Sequence, residues 1–167
     1  MLLMIMKDKF KAAHIGLIAI SVFALAVAYC VEYLMYVTPC PLCIYQRFPY
    51  LILIKLSVTA LLIKGLSDYT TRYTTICIVL TLLCACLLAG YHTAVERGIV
   101  PPSAICSTLV RIPLHLSIEA VKAMFEHQTV TACTQVPLKI FGFSMTEWNL
   151  LLNTGLLVIY SWIMRRG

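Results

Sequence analysis

Cys40-Pro41-Leu42-Cys43 is the segment of this chain whose residue types and spacing most directly offer chemistry. Two cysteines three residues apart serve as a redox pair or as half of a zinc site. A structural zinc site takes four Cys or His ligands, and Cys106 and Cys133 complete such a set, so metal binding stands beside redox chemistry. Two features favour redox. Cys106 and Cys133 are isolated in sequence, without the second paired knuckle of a zinc ribbon. Pro41 suits the first turn of a helix, where its missing N–H costs nothing. Cys43 then lies near a helix amino terminus, whose partial positive charge favours a thiolate, the species that attacks disulfides.

Arg47 follows Cys43 by four residues. On a continuous helix the two share a face one turn apart, and the positive charge would further favour the thiolate. Its N–H groups also suit an oxygen of a bound electron acceptor; the plain alternative is an arginine snorkelling at a bilayer edge. His92 falls at the same depth, at the end of an apolar run, where it could donate to an acceptor oxygen or carry a proton. Glu96, one turn later, could orient its ring. Lys55 lies inside an apolar run, about 14 Å from its far end at 1.5 Å per residue. It reads as snorkelling, or as bonded to a neighbour such as Asn153, more readily than as a quinone or proton partner. His14, His115 and His127 read as surface residues.

The elements that must position these groups follow from composition. The 167 residues are 61% hydrophobic and 12% charged, against roughly 45–50% and 25% in ordinary soluble domains. Mean hydropathy is +0.91. A soluble cytosolic enzyme and a disordered chain are both excluded. Four apolar runs, about 12–37, 42–63, 74–91 and 145–164, approach the length of a membrane span. The expected architecture is an all-α membrane protein, one four-helix bundle over 1–167, with outer loops at about 38–47 and 96–144. No internal repeat is visible. Ser144 to Glu147 has the form of a capping box, and Trp148 sits where an interfacial anchor belongs. Leu114, Ile118, Val121 and Phe125 recur at helical spacing and predict a short amphipathic helix on the membrane surface.

Charge sets the expected orientation. Net charge is +6. Lys7, Lys9, Lys11, Lys64, Arg72, Arg165 and Arg166 fall on one side, whereas the long loop balances Arg97, Arg111, Lys122 and Lys139 against Glu96, Glu119, Glu126 and Glu147. By the positive-inside rule both termini are cytoplasmic and both loops face outward. Ala26-Val27-Ala28 imitates a signal-peptide cleavage site, but the apolar run continues beyond it, as in an uncleaved anchor. No interleaved aromatic and basic patch suggests nucleic acid.

This topology divides the eight cysteines. Cys30, Cys77, Cys84 and Cys86 fall within spans and read as small packing residues. Cys40, Cys43, Cys106 and Cys133 all face the side where, in a bacterium, disulfides persist. Haem attachment is excluded because Ile44 follows Cys43, and no nucleotide-binding glycine motif is present.

Cys40 to Tyr50 (CPLCIYQRFPY), Gly90-Tyr91-His92 with Glu96, and Cys133 followed by Phe141 to Asn149 (FGFSMTEWN) resemble the bacterial disulfide bond formation protein B (DsbB) family along nearly the whole chain. The resemblance implies a four-helix inner-membrane bundle that reoxidises the periplasmic dithiol oxidase DsbA and passes electrons to a quinone, ubiquinone or menaquinone. It implies that a Cys106–Cys133 disulfide is attacked by the reduced partner, with Cys106 forming the mixed disulfide. Cys133 then exchanges with Cys40, and Cys43 becomes the thiolate that engages the quinone. Arg47 and His92 match residues at the quinone site. Vitamin K epoxide reductases perform similar chemistry on a comparable bundle but lack these stretches. A non-enzymatic metal-binding protein using the four outer cysteines, or an assembly protein with stabilising disulfides, are the rivals of another class.

Overall fold

The computed structural model describes residues 2–63, 68–102, 106, 133, 134, 136 and 138–165. Their elements are α1 (Leu2–Leu34), α2 (Pro41–Tyr45), α3 (Phe48–Leu62), α4 (Asp68–Glu96), strands β1 (Lys139–Ile140) and β2 (Phe143–Ser144), and α5 (Met145–Arg165). α1 packs mainly on α3 and α4 on α5, while α3 also meets α4 and joins the two pairs. The expected amphipathic helix, His115 and His127 lie outside the described residues.

Among the described residues, Lys9–Leu34 and Tyr69–Glu96 are long and apolar enough to cross a membrane. At 1.5 Å per residue they extend about 39 and 42 Å, beyond a hydrocarbon core of about 30 Å. Polarity is distributed to match. Phe23, Leu62, Leu87 and Val158 are exposed, whereas Ser21, Ser57, His92 and Asn153 are buried. An apolar exterior around a partly polar interior is what lipid favours, because polar groups there find partners only inside the bundle. Leu17, Leu53, Ile78, Leu82 and Leu156 fill the interior between them.

The second apolar run departs from the single helix that its composition predicts. It breaks at Gln46–Arg47 into α2 and α3. Pro49 is the cause: its ring would collide with the Tyr45 carbonyl and it has no N–H to offer, so it is accommodated only in the first turn of a new helix. The all-α expectation also needs amendment, since β1 and β2 form a small antiparallel hairpin. Its two-residue turn holds Phe141 and Gly142 at φ 53° and 84°, the left-handed pair that matches strand twist.

Helix ends fix the loops near the cysteines. The Ser144–Glu147 capping box is present reciprocally: the Ser144 amide donates to Glu147 (2.9 Å), and the Glu147 amide donates to the Ser144 hydroxyl (3.2 Å). Arg97 Nε donates to the same glutamate at 2.9 Å, tying the end of α4 to the start of α5. α4 closes on Gly98 at φ 69°, with Ile99 N donating to Ala94 O, a left-handed stop that glycine adopts without strain.

Two expectations for individual residues are corrected, and the choice left open at Lys55 is narrowed. His14 is fully buried, not a surface residue. Its Nδ1 meets the Phe10 carbonyl at 2.8 Å, and its ring packs edge-on to Tyr160. Cys30 and Cys84 are exposed on the outside of their helices, so they do not pack the interior. Lys55 is exposed, and Asn153 bonds instead to Tyr50 and Asn149. Lys55 therefore points off the bundle, the geometry that snorkelling requires.

Candidate active site

Cys40 is the amino-terminal cap of α2, in extended conformation, and Pro41 opens the helix. This turn brings Cys43 back over Cys40: the Cys43 amide donates to the Cys40 sulfur at 3.3 Å, and the Cys40 thiol donates to the Cys43 sulfur at 3.0 Å. The proton between them decides their charges. The bond from Cys40 holds the Cys43 thiol below its ordinary range, against the opposing effect of burial. The same bond, and then burial, push Cys40 up to about 12. Cys43 is thus the sulfur that ionises, as the helix-terminus argument expects, although Cys40's hydrogen bond leads.

His92, on α4, faces this pair. Its Nε2 lies 3.5 Å from the Cys40 sulfur, and its Nδ1 lies 3.1 Å from the Gln46 amide. Gln46 Oε1 accepts from Asn149 at 2.9 Å, Asn149 Oδ1 accepts from the Tyr50 hydroxyl, and Asn153 donates to that hydroxyl at 3.1 Å. The ring is therefore held from α2 and, through Gln46, from α5. Glu96, expected to orient it, is 3.8 Å from Nε2, beyond hydrogen-bond range. Its carboxylate instead accepts from the Ser144 hydroxyl at 2.7 Å and from Thr146, fastening α4 to the hairpin.

Cys106 and Cys133 are buried in one cluster with Cys40, Leu42 and Val95, and Cys43 packs against its edge. All four expected cysteines are therefore brought together. Cys133 is in hydrogen-bonding contact with the Cys106 thiol and the Leu42 backbone amide; burial, then Cys106, push its thiol upward. At neutral pH the cluster thus favours its negative charge at Cys43 over Cys40 or Cys133.

Arg47 follows the break after α2, and it and Cys43 line one cavity. Its Nη1 pairs with Glu32 of α1 at 2.6 Å, and its guanidinium lies 4.6 Å from the centre of the Tyr29 ring. Its Nε is buried without a hydrogen-bond partner. An orphaned buried donor of this kind calls for an acceptor. A cavity of about 440 Å³ lies beside it, lined largely by apolar groups together with Cys43, Arg47 and His92, within the usual size of small-molecule sites. A polar-edged ring on an apolar body fits these residues: Arg47 supplies the donor, and α1, the hairpin and α5 supply the apolar walls.

Sequence reasoning passed over Glu32, Gln46 and Asn149. Glu32 left a legible trace, being a carboxylate inside the 12–37 apolar run, where charge is costly. Gln46 and Asn149 are ordinary polar residues whose partnership across 103 positions only the fold creates.

A mostly helical protein with long apolar spans and four cysteines gathered beside a histidine and an apolar cavity defines a class: helical membrane proteins with a dithiol centre. The chain belongs to the family described as disulfide bond formation protein DsbB, whose pattern it matches over residues 11–163. Members are membrane oxidoreductases that generate disulfides. The chain is also 53% identical over 160 residues to a protein of Rickettsia prowazekii (strain Madrid E) described as uncharacterized protein RP370, a match covering 96% of this chain and 91% of that one.

Proposed function

We propose that this protein is an inner-membrane thiol oxidase that restores the disulfide of a periplasmic DsbA-type partner and passes the electrons to a membrane quinone. The observation that carries it is the position of Cys43, at once the ionising end of a four-cysteine cluster and part of the lining of the apolar cavity beside Arg47. The bundle spans the membrane four times, with α1, a second span led by α3, α4 and α5. Both termini are cytoplasmic, and the cysteines face the periplasm.

In this reading the partner's thiolate attacks Cys106 of a Cys106–Cys133 disulfide. One S–S bond breaks, one forms, and Cys133 leaves as a thiolate. Cys133, packed against Cys40, then attacks Cys40 of a Cys40–Cys43 disulfide, and Cys43 is released as a thiolate. The partner's second thiolate then attacks its own sulfur in the mixed disulfide, closing the partner's disulfide and releasing Cys106. Each exchange conserves disulfides, so the two electrons remain on the chain as the Cys43 and Cys106 thiolates beside a Cys40–Cys133 disulfide. The quinone, when bound, supplies a sink for two electrons and two protons. Arg47 would hold it by donating from its guanidinium. His92, held by Gln46, would keep a proton-carrying group beside the sulfurs. The apolar walls exclude water and protect the thiolate. A partner with a potential near −120 mV needs a strongly oxidising sink, which glutathione pools do not provide.

Purified protein is expected to catalyse quinone reduction by a reduced DsbA-type protein, followed by loss of quinone absorbance. Full turnover by Cys43→Ser would refute the assignment.

A further inference from the structure

The sulfurs of Cys40 and Cys43 and a ring nitrogen of His92 all lie within 4.8 Å of one another, a third donor that disulfide exchange does not need. In tetrahedral zinc coordination, Zn–S near 2.3 Å and Zn–N near 2.0 Å place neighbouring sulfur and nitrogen ligands about 3.6 Å apart. Cys40 Sγ and His92 Nε2 already stand 3.5 Å apart. The two sulfurs, at 3.0 Å, reach the corresponding sulfur–sulfur edge of about 3.8 Å by a small side-chain rotation. His92 is held at its other nitrogen by the Gln46 amide, the outer support typical of ligating histidines. Gln46 can present its oxygen to that nitrogen if its amide and that of Asn149, which donates to Gln46 Oε1, turn over together. Cys106 and Cys133 stand outside this three-residue group.

We propose that the reduced Cys40–Cys43 pair and His92 form an inhibitory site for a thiophilic divalent cation of the zinc class. The proposal rests on the redox reading of the same site and adds its regulation. Two thiolates balance the 2+ charge, which suits a buried position, and binding releases the thiol protons without moving an electron. Disulfide sulfurs lack the thiolate charge, so only the reduced site captures the cation. Capture therefore competes with reoxidation and becomes strongest when the partner delivers electrons faster than the quinone removes them. The cation acts as a brake set by the supply of acceptor.

The test uses the full chain in detergent and zinc chloride alone. Equilibrium dialysis should give one zinc per chain after reduction by a phosphine, and none after oxidation. A Cys106→Ser/Cys133→Ser variant should keep that zinc; its loss would mean a four-cysteine site and overturn the proposal. His92→Gln should weaken binding at least about tenfold, and a Cys43→Ala variant that melts like the parent must lose it. Cadmium substitution should produce a thiolate charge-transfer band in the reduced protein only. In turnover assays, the half-inhibiting zinc concentration should rise at least about tenfold from scarce to saturating quinone. Equal binding by oxidised protein, or inhibition indifferent to quinone, would overturn the proposal. Reduced protein that binds zinc as described but never reduces quinone would leave the metal site standing and remove the oxidase reading.

Discussion

Arg47 is held in place from the neighbouring helix by Glu32, whose carboxylate lies 2.6 Å from Nη1 while the Tyr29 ring lies under the guanidinium. The clamp leaves Nε buried and unpaired and keeps Arg47 in the lining of the cavity. Arginine suits this position because its planar fork can serve a carboxylate, an aromatic face and a third acceptor together; lysine offers only a point charge. Arg47→Lys should therefore raise KM for quinone by roughly ten- to a hundredfold, the worth of one charge-assisted hydrogen bond. Glu32→Ala should raise it by roughly tenfold through loss of aim, with Glu32→Gln in between because its amide oxygen still accepts. Exchange between the partner and Cys106 should be unchanged in all three. Steady-state kinetics with quinone varied, paired with single-turnover thiol exchange, separates the two effects.

The unequal ionisation of Cys43 and Cys40 predicts a pH signature. Cys43 is lowered chiefly by the thiol of Cys40, which is itself raised to about 12. A lowered pKa means that the thiolate persists to more acidic pH than in an ordinary cysteine. In reduced protein, alkylation of Cys43 should rise through a midpoint below that of a free thiol, while Cys40 stays unreactive until strongly alkaline pH. Cys40→Ala removes the donor and should move the Cys43 midpoint upward. Mass-spectrometric alkylation rates against pH measure both. Identical profiles for the two cysteines would refute the assignment of charge.

How much of this was readable beforehand depends on the reach of each cause. The capping box and the cap role of Cys40 depend on residues within one helical turn, so sequence shows them directly. The long apolar helices are visible because lipid demands a nearly continuous run. Hydropathy does not show the break between α2 and α3 although Pro49 announces it, because it ignores backbone geometry and apolar residues flank the proline on both sides. The burial of His14 is not legible because nothing in its sequence neighbourhood reveals that α5 brings Tyr160 against its face. The clamp on Arg47 and the Gln46–Asn149 bond were hidden for the same reason: each joins helices whose pairing is set by packing across the bundle.

The Gln46–Asn149–Tyr50–Asn153 chain has a cost that can be measured. Asn149 accepts from Tyr50 and donates to Gln46. Asn149→Leu leaves the Tyr50 hydroxyl without its acceptor and Gln46 Oε1 without its donor, a penalty of about 1–3 kcal/mol for each buried group. The variant should melt at lower temperature in detergent. His92, losing the support that reaches it through Gln46, should show a broadened imidazole NMR signal. A variant with parental stability and an unchanged signal would mean that His92 is held by Gln46 alone.

Burial of Cys133 beside Cys40, rather than at the surface, predicts that the two halves of the reaction can be separated. Cys133 is 1% exposed and shares a cluster with Cys40 and Leu42, a position suited to passing electrons on to Cys40. Its role is internal transfer. Cys133→Ser should leave the partner no disulfide to attack at Cys106 and remove the sulfur that carries electrons to Cys40. Partner-driven quinone reduction should fall by at least about a hundredfold, the scale expected when an essential nucleophile is lost. A small dithiol that reaches the Cys40–Cys43 pair through the cavity should still drive quinone reduction in Cys133→Ser, whereas Cys43→Ser should abolish the reaction with either donor. Parallel assays with the protein partner and with dithiothreitol give the answer. Equal losses with both donors in Cys133→Ser would show that Cys133 belongs to the quinone step itself and would require a different order of transfer.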